Sequence, residues 1–238
     1  MTDFLFRDDA YLREAPATVV SVEPDGGLVL DRTPFYPQGG GQPGDAGTLT
    51  TADGRAVAIT LARYGADKAT VVHVPAPDQP TLAPGDAVTA AINWEARWKR
   101  MRVHTALHLL TVVLPYPVSG GAIGDGDGRL DFDIPEAGLD KADIETRLNA
   151  LIAQDAAVSS RTITDDELLA NPALVKTMSV KPPIGTGNVR LVAIAGLDLQ
   201  PCGGTHVRRT GEIGSVAVTA IEKKGKQNRR VRIALHTP

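Results

Sequence analysis

Three of the five histidines and the single cysteine fall into two pairs of the same spacing, His104/His108 and Cys202/His206. The pairs lie far apart in sequence, so a fold that uses them together must bring a helix and a distant loop to one point. In His104-Thr-Ala-Leu-His108 the i, i+4 spacing stacks both imidazoles on one face of a helix. In Cys202-Gly-Gly-Thr-His206 the two glycines argue against a helix and for a tight turn from which both side chains converge. A histidine pair alone usually belongs to a core or a surface. Two such pairs with Cys/His chemistry select zinc, or a similar transition metal, over magnesium or calcium. The helical pair is not the metalloprotease motif, because Thr105 stands where that motif needs Glu. Four protein ligands would close a tetrahedral site, as in structural zinc. Hydrolysis needs a vacancy, a fifth position or one ligand held off. Spacing leaves both arrangements open.

The two pairs sit in the second of two differently textured regions. Up to Ile92 the chain reads as short strands between turn signals: Thr18–Val22 and Leu28–Leu30 around Pro24-Asp-Gly-Gly27, then Val57–Leu61, Thr70–Val74 and Ala87–Ile92. Such spacing predicts a small barrel or sandwich. At Asn93 the texture changes. Asn93 is a good helix cap, Glu95 suits the first turn, and apolar residues recur at helical steps until Pro115 stops them. A second helix is expected after Asp140, burying Ile144, Leu148, Leu151 and Ile152. Thr164 and Glu167 form a capping box for a third, short one. Strands return at Arg190–Ile194, Ser215–Ile221 and Val231–Leu235. The expected fold class is α+β: a small β-barrel-like domain over 1–92 and an α+β zinc-containing domain over 93–238.

Composition bounds the setting. The lone Cys202 excludes an internal disulfide and fits a reducing compartment, so cytoplasm is expected. No apolar run approaches a membrane span, and Met1–Leu12 does not build a signal sequence. No protein partner is indicated. The formal net charge is −3, yet Lys223, Lys224, Lys226, Arg229, Arg230 and Arg232 cluster without an acid among them. By itself such a run reads as a solvated hairpin tip. Asp125 to Asp133, with Glu136 at the twelfth place, imitates a calcium loop. Leu130 stands where that loop requires glycine and Arg129 occupies a ligand position, so a turn entering a strand is the better reading.

Met101–Leu110 and Asp198–Val207 resemble the signature segments of the alanyl-tRNA synthetase editing domain. The whole chain resembles the medium-length form of the freestanding alanyl-tRNA editing proteins of the AlaX type. Phe35-Tyr-Pro through Gln42 is similar to that family's glycine-rich motif, and Lys223–Arg230 to its basic segment. The likeness to the threonyl-tRNA synthetase editing domain is more distant.

The resemblance implies a zinc-dependent ester hydrolase that returns Ser-tRNA(Ala), and Gly-tRNA(Ala), to free amino acid and tRNA while sparing Ala-tRNA(Ala). A zinc-stabilised RNA-binding module without activity is the alternative. No synthetase catalytic region fits beside the two domains, so aminoacylation is not expected. The resemblance carries His104, His108, Cys202 and His206 over as zinc ligands at the catalytic centre. It places Thr33, in what is otherwise a turn, against the serine hydroxyl. Gly39, Gly40, Gly41 and Gln42 are expected to meet substrate or to form a structural turn. The basic run 223–232, with Lys223, Lys224, Lys226, Arg229 and Arg230 foremost and Arg232 at its end, is expected to meet tRNA phosphates, with Arg97, Lys99, Arg100 and Arg102 as weaker candidates.

Overall fold

The computed structural model describes residues 2–135, 138–177 and 187–236. The chain forms two compact units, Met1–Trp98 and Lys99–Pro238. Glu136, the last position of the calcium-loop imitation, lies outside the described residues.

In the first unit β1 (Asp3–Phe4), α1 (Leu5–Asp8), β2 (Glu14–Val22), β3 (Leu28–Leu30), β4 (Arg32–Thr33), β5 (Gly47–Thr51), β6 (Ala56–Tyr64), β7 (Val71–Pro75) and β8 (Ala87–Ile92) follow one another. Six of these strands close a barrel in the order β2-β3-β7-β6-β5-β8. Alternation drives the closure. Ala15, Ala17 and Val19 of β2 and Val57 and Ile59 of β6 are buried, while the residues between them are exposed or partly so. Phe35, Leu30 and Leu49 fill the same core. The unit also holds the opening turn of helix α2 (Trp94–Val113). Tyr11 packs on Trp94 and Trp98, Arg13 lies over the Trp94 ring, and the fully buried Arg97 forms an ion pair with Asp45. Arg97 also donates to the carbonyls of Ala10 and Pro34.

The second unit continues with β9 (Val118–Ile123), β10 (Asp127–Asp133), α3 (Lys141–Ile152), β11 (Val158–Thr164), α4 (Asp165–Ala170), β12 (Asn188–Ile194), β13 (Asp198–Pro201), β14 (Val216–Lys223) and β15 (Asn228–Leu235). A four-stranded antiparallel sheet runs β14-β15-β10-β9, and a three-stranded one runs β11-β12-β13. Asp140 caps α3 by accepting from Asp143 N, and the Thr164/Glu167 capping box opens α4 as expected. The Asn149 side chain of α3 bonds both the N–H and the carbonyl of Val216, which satisfies part of the β14 edge. Helix α2 lies close against β10. A Cβ on Gly128 would come within 2.6 Å of Val103 Cγ1. The segment imitating a calcium loop is indeed a turn entering β10, and its Asp125 and Asp131 are ion-paired to arginines.

Candidate metal centre

Helix α2 places His104 and His108 one turn apart. The loop after β13 brings Cys202 and His206 to them, and the four donor atoms all lie within 4.8 Å of one another. The three histidines are nearly buried, whereas Cys202 is half-buried and marks the more open side. Cys202 Sγ stands 3.5 Å from His104 Nε2 and 3.3 Å from His206 Nε2. Four such donors around one point can hold a metal ion.

The opposite nitrogens show how the donors are aimed. His108 Nδ1 meets Asp198 Oδ2 at 3.2 Å. A carboxylate only accepts, so Nδ1 carries the proton and Nε2 is left to face the cluster. Asp198 is itself held by Lys176 Nζ at 2.5 Å and by Gln200 Nε2 at 2.7 Å. His206 Nδ1 meets Thr105 Oγ1 at 3.1 Å. That hydroxyl already donates to Met101 O, one turn back along α2, so it accepts from His206 and from Val207 N. His206 therefore also presents Nε2. Arg190 Nη1 donates to the carbonyls of Cys202 and Gly204, and Gly204 N donates to Cys202 Sγ at 3.4 Å, which shapes the loop. Spacing gives no role to Asp198, Gln200, Lys176 or Arg190, and marks Thr105 only as the residue that breaks the metalloprotease motif. Their roles arise where β13, β12, α2 and the segment carrying Lys176 pack together.

Electrostatics follow from this packing. Burial works against a charge on His108, but Asp198 and then Cys202 outweigh it and raise its pKa to about 9. Burial and the charge of His104 push His206 down to about 3. Burial opposes a thiolate at Cys202, yet the imidazoles of His104 and His206 hold it well below the usual thiol range. Asp198 is pulled to about 2, because His108 and Lys176 outweigh its burial. The centre thus sets a thiolate beside a protonated His108, and metal binding would have to displace the His108 proton on the nitrogen that faces the cluster.

The other expected site residues are spread over both units. Thr33, in the first, is fully buried; its hydroxyl meets His73 Nε2 at 2.7 Å and accepts from Phe35 N at 3.1 Å. Gly39 and Gln42 exchange backbone hydrogen bonds around Gly40 and Gly41, whose φ values of +58° and +83° suit glycine. Tyr36 Oη donates to Gly39 O, Gly40 and Gly41 are exposed, and Gln42 is buried. In the second unit Lys223, Lys224 and Lys226 are exposed around the turn between β14 and β15, while Arg229 and Arg230 are half-buried on β15. Three of the weaker phosphate candidates are engaged internally: Arg97 with Asp45, Arg100 with Asp125, and Arg102 with the carbonyl of Ile213. Arg97, with no exposed surface, is corrected to a structural residue. Lys99 is half-buried.

A chain with a six-stranded barrel in one unit and paired His/Cys donors in the other is similar, by the following comparisons, to synthetase-type editing proteins. Residues 189–232 match the family described as threonyl and alanyl tRNA synthetase second additional domain, and residues 11–96 match tRNA synthetases class II (A). An alanyl-tRNA editing protein AlaX-M of Methanosarcina mazei is 34% identical over 250 residues, covering 99% of this chain and 97% of that protein. Its counterpart in Methanosarcina barkeri is 36% identical over 248 residues, covering 99% of each. An alanine–tRNA ligase of Pyrobaculum calidifontis is 34% identical over 232 residues, 92% of this chain but 25% of the ligase. The chain belongs to the AlaX-M family of alanyl-tRNA editing proteins. Among the described residues no helix is long and apolar enough to cross a membrane.

Proposed function

We propose that this protein is a zinc-dependent trans-editing hydrolase that deacylates Ser-tRNA(Ala), and Gly-tRNA(Ala), in the cytoplasm and spares Ala-tRNA(Ala). The observation that carries the reading is the four-donor cluster on a chain that matches alanyl-tRNA editing proteins over nearly its whole length. A tetrahedral zinc with bonds of about 2.0–2.3 Å has sulfur–nitrogen edges of roughly 3.5 Å. The separations of 3.5 and 3.3 Å around Cys202 Sγ agree with that. His104, His108, Cys202 and His206 are the proposed ligands. Zinc bound there supplies Lewis acidity, polarising an ester carbonyl or acidifying water.

The chain's own residues do the rest. Asp198 keeps the His108 proton on Nδ1 and Thr105 keeps the His206 proton on its Nδ1, so neither donor can turn its protonated edge inward. An aminoacyl ester is already activated, and positioning it accounts for much of the remaining barrier. Lys223, Lys224, Lys226, Arg229 and Arg230 are the proposed phosphate contacts that orient it. Gly39, Gly40, Gly41 and Gln42 are proposed to offer backbone to the aminoacyl end. To spare Ala-tRNA(Ala), a site that bonds the serine hydroxyl leaves a polar group unpaired when alanine enters. Thr33 is proposed for this contact by family likeness. With its proton given to His73 and one lone pair given to Phe35, only its second lone pair is left for a substrate.

Deacylation of Ser-, Gly- and Ala-charged tRNA(Ala) by the wild-type protein tests the reading. Ser-tRNA(Ala) should be emptied much faster than Ala-tRNA(Ala), and a chelator should stop it. Decay at the buffer rate with zinc and tRNA both bound would leave the zinc-stabilised RNA-binding module instead.

A further inference from the structure

The four-stranded sheet buries one face and leaves the other partly exposed. Leu130, Phe132, Val231, Ile233 and Val218 point inward, so Asp127, Arg129, Asp131 and Asp133 of β10, and Arg230 and Arg232 of β15, stand on the outer face. Register places Arg129 directly opposite Arg232, two cations where a sheet ordinarily gains from opposite charges. Their other neighbours in the row are Ala122 on β9 and Ala220 on β14, so no side chain of any height flanks the pair. In the next row Gly120, Asp131, Arg230 and Glu222 line up.

The two carboxylates anchor these cations without filling them. Asp131 takes Arg129 Nη1 and the Nε and Nη2 of Arg230, while Glu222 takes Arg232 Nε and Lys224 Nζ. Two anchoring carboxylates therefore serve four cations, while Asp127 and Asp133, on the same face by alternation, are two further acids at the ends of β10. Among the described residues Arg129 and Arg232 each spend one nitrogen of the fork on these bonds. The rest of each guanidinium is aimed by its anchor and has no other partner there. A sheet face built only for salt bridges would set unlike charges opposite one another rather than two arginines abreast between alanines.

We propose that this outer face, centred on Arg129 and Arg232, is a docking surface for the phosphate backbone of an RNA strand. The proposal rests on the reading of the chain as a tRNA deacylase and extends its RNA contacts from the β14–β15 turn onto the sheet. Phosphate recognition fits because pre-oriented guanidinium forks match its oxygens, and the low alanine flanks admit a bulky backbone ridge.

Binding of tRNA(Ala) to the full-length protein at several salt concentrations tests it. The double variant Arg129→Gln/Arg232→Gln should bind about tenfold more weakly or worse, with a salt slope shallower by roughly one to two. Its KM for Ser-tRNA(Ala) should rise while kcat holds. Ala122→Glu sets a carboxylate beside Arg129 without removing either arginine, and should weaken binding in the same direction if the double variant folds poorly. Arg161→Gln, exposed on β11 of the other sheet, removes the same kind of charge elsewhere and should leave binding nearly unchanged. Wild-type affinity and salt slope in both the double variant and Ala122→Glu, or an equal loss in Arg161→Gln, would overturn the proposal while leaving the deacylase reading intact. A wild-type protein that neither binds nor empties Ser-tRNA(Ala) would overturn both.

Discussion

Each unit of this protein buries histidine, and the two burials differ in what they leave unfinished. In the barrel His73 has both ring nitrogens engaged, Nδ1 with Leu28 O and Nε2 with the Thr33 hydroxyl. Burial holds its pKa down to about 4, against the weaker pull of the Leu28 carbonyl. In the second unit His108 and His206 have one nitrogen each engaged, with Asp198 and Thr105, and the other turned toward Cys202 and His104. A buried polar group is ordinarily satisfied within the protein. Two rings pinned on one side and converging on the other are built to share something on that side.

The comparison can be broken in four ways. The largest effect belongs to His108→Ala. It removes a proposed ligand, and deacylation of Ser-tRNA(Ala) should drop to the buffer rate, a loss that added zinc does not restore.

Acid should act on the barrel histidine next. His73 is neutral in the fold at pH values where an unfolded histidine, titrating near 6.5, is protonated. Its stabilisation is therefore complete above pH 6.5, and is lost as pH falls toward about 4. The loss is on the order of 3 kcal/mol. Thermal melts of wild type and His73→Gln across that window measure it. Parallel pH curves for the two proteins would show that His73 is not the group responsible.

Asp198→Asn should weaken zinc binding by about ten- to a hundredfold in a chelator competition, because the His108 proton loses its charged acceptor. A cobalt-substituted protein should show a changed ligand-field spectrum. Unaltered affinity and spectrum would mean that His108 needs no pin.

Thr33→Val should cost about 1–3 kcal/mol in denaturant unfolding, since His73 Nε2 and Phe35 N lose their partner. If Thr33 also meets the serine hydroxyl, the preference for Ser-tRNA(Ala) over Ala-tRNA(Ala) falls in the same variant. A destabilised protein with full discrimination would assign Thr33 to the barrel alone.

Local signals were legible wherever a single segment carried them. The Asn93 cap and apolar steps marked a helix ending near Pro115, and α2 runs Trp94–Val113. The Thr164/Glu167 box and the Asp140 cap stand as read. Strands without alternation were not legible. Residues Val158–Thr164 are mostly exposed and polar, and become β11 only by pairing with β12 along their whole length. Val118–Ile123, with two central glycines, becomes β9 through β10 in the same way. Charge misled at Arg97. Next to Lys99 and Arg100 it reads as part of a basic stretch, yet it is sealed against Asp45.

Sequence alone determined which atoms could form the metal centre, because i, i+4 spacing on a helix and a glycine-softened turn are local properties that leave few other uses for three histidines and one cysteine. Tertiary structure alone decided how those atoms are aimed. Asp198 reaches His108 across 90 positions and Thr105 reaches His206 across 101, so the proton on each ring is settled by strand and helix packing that no local pattern encodes.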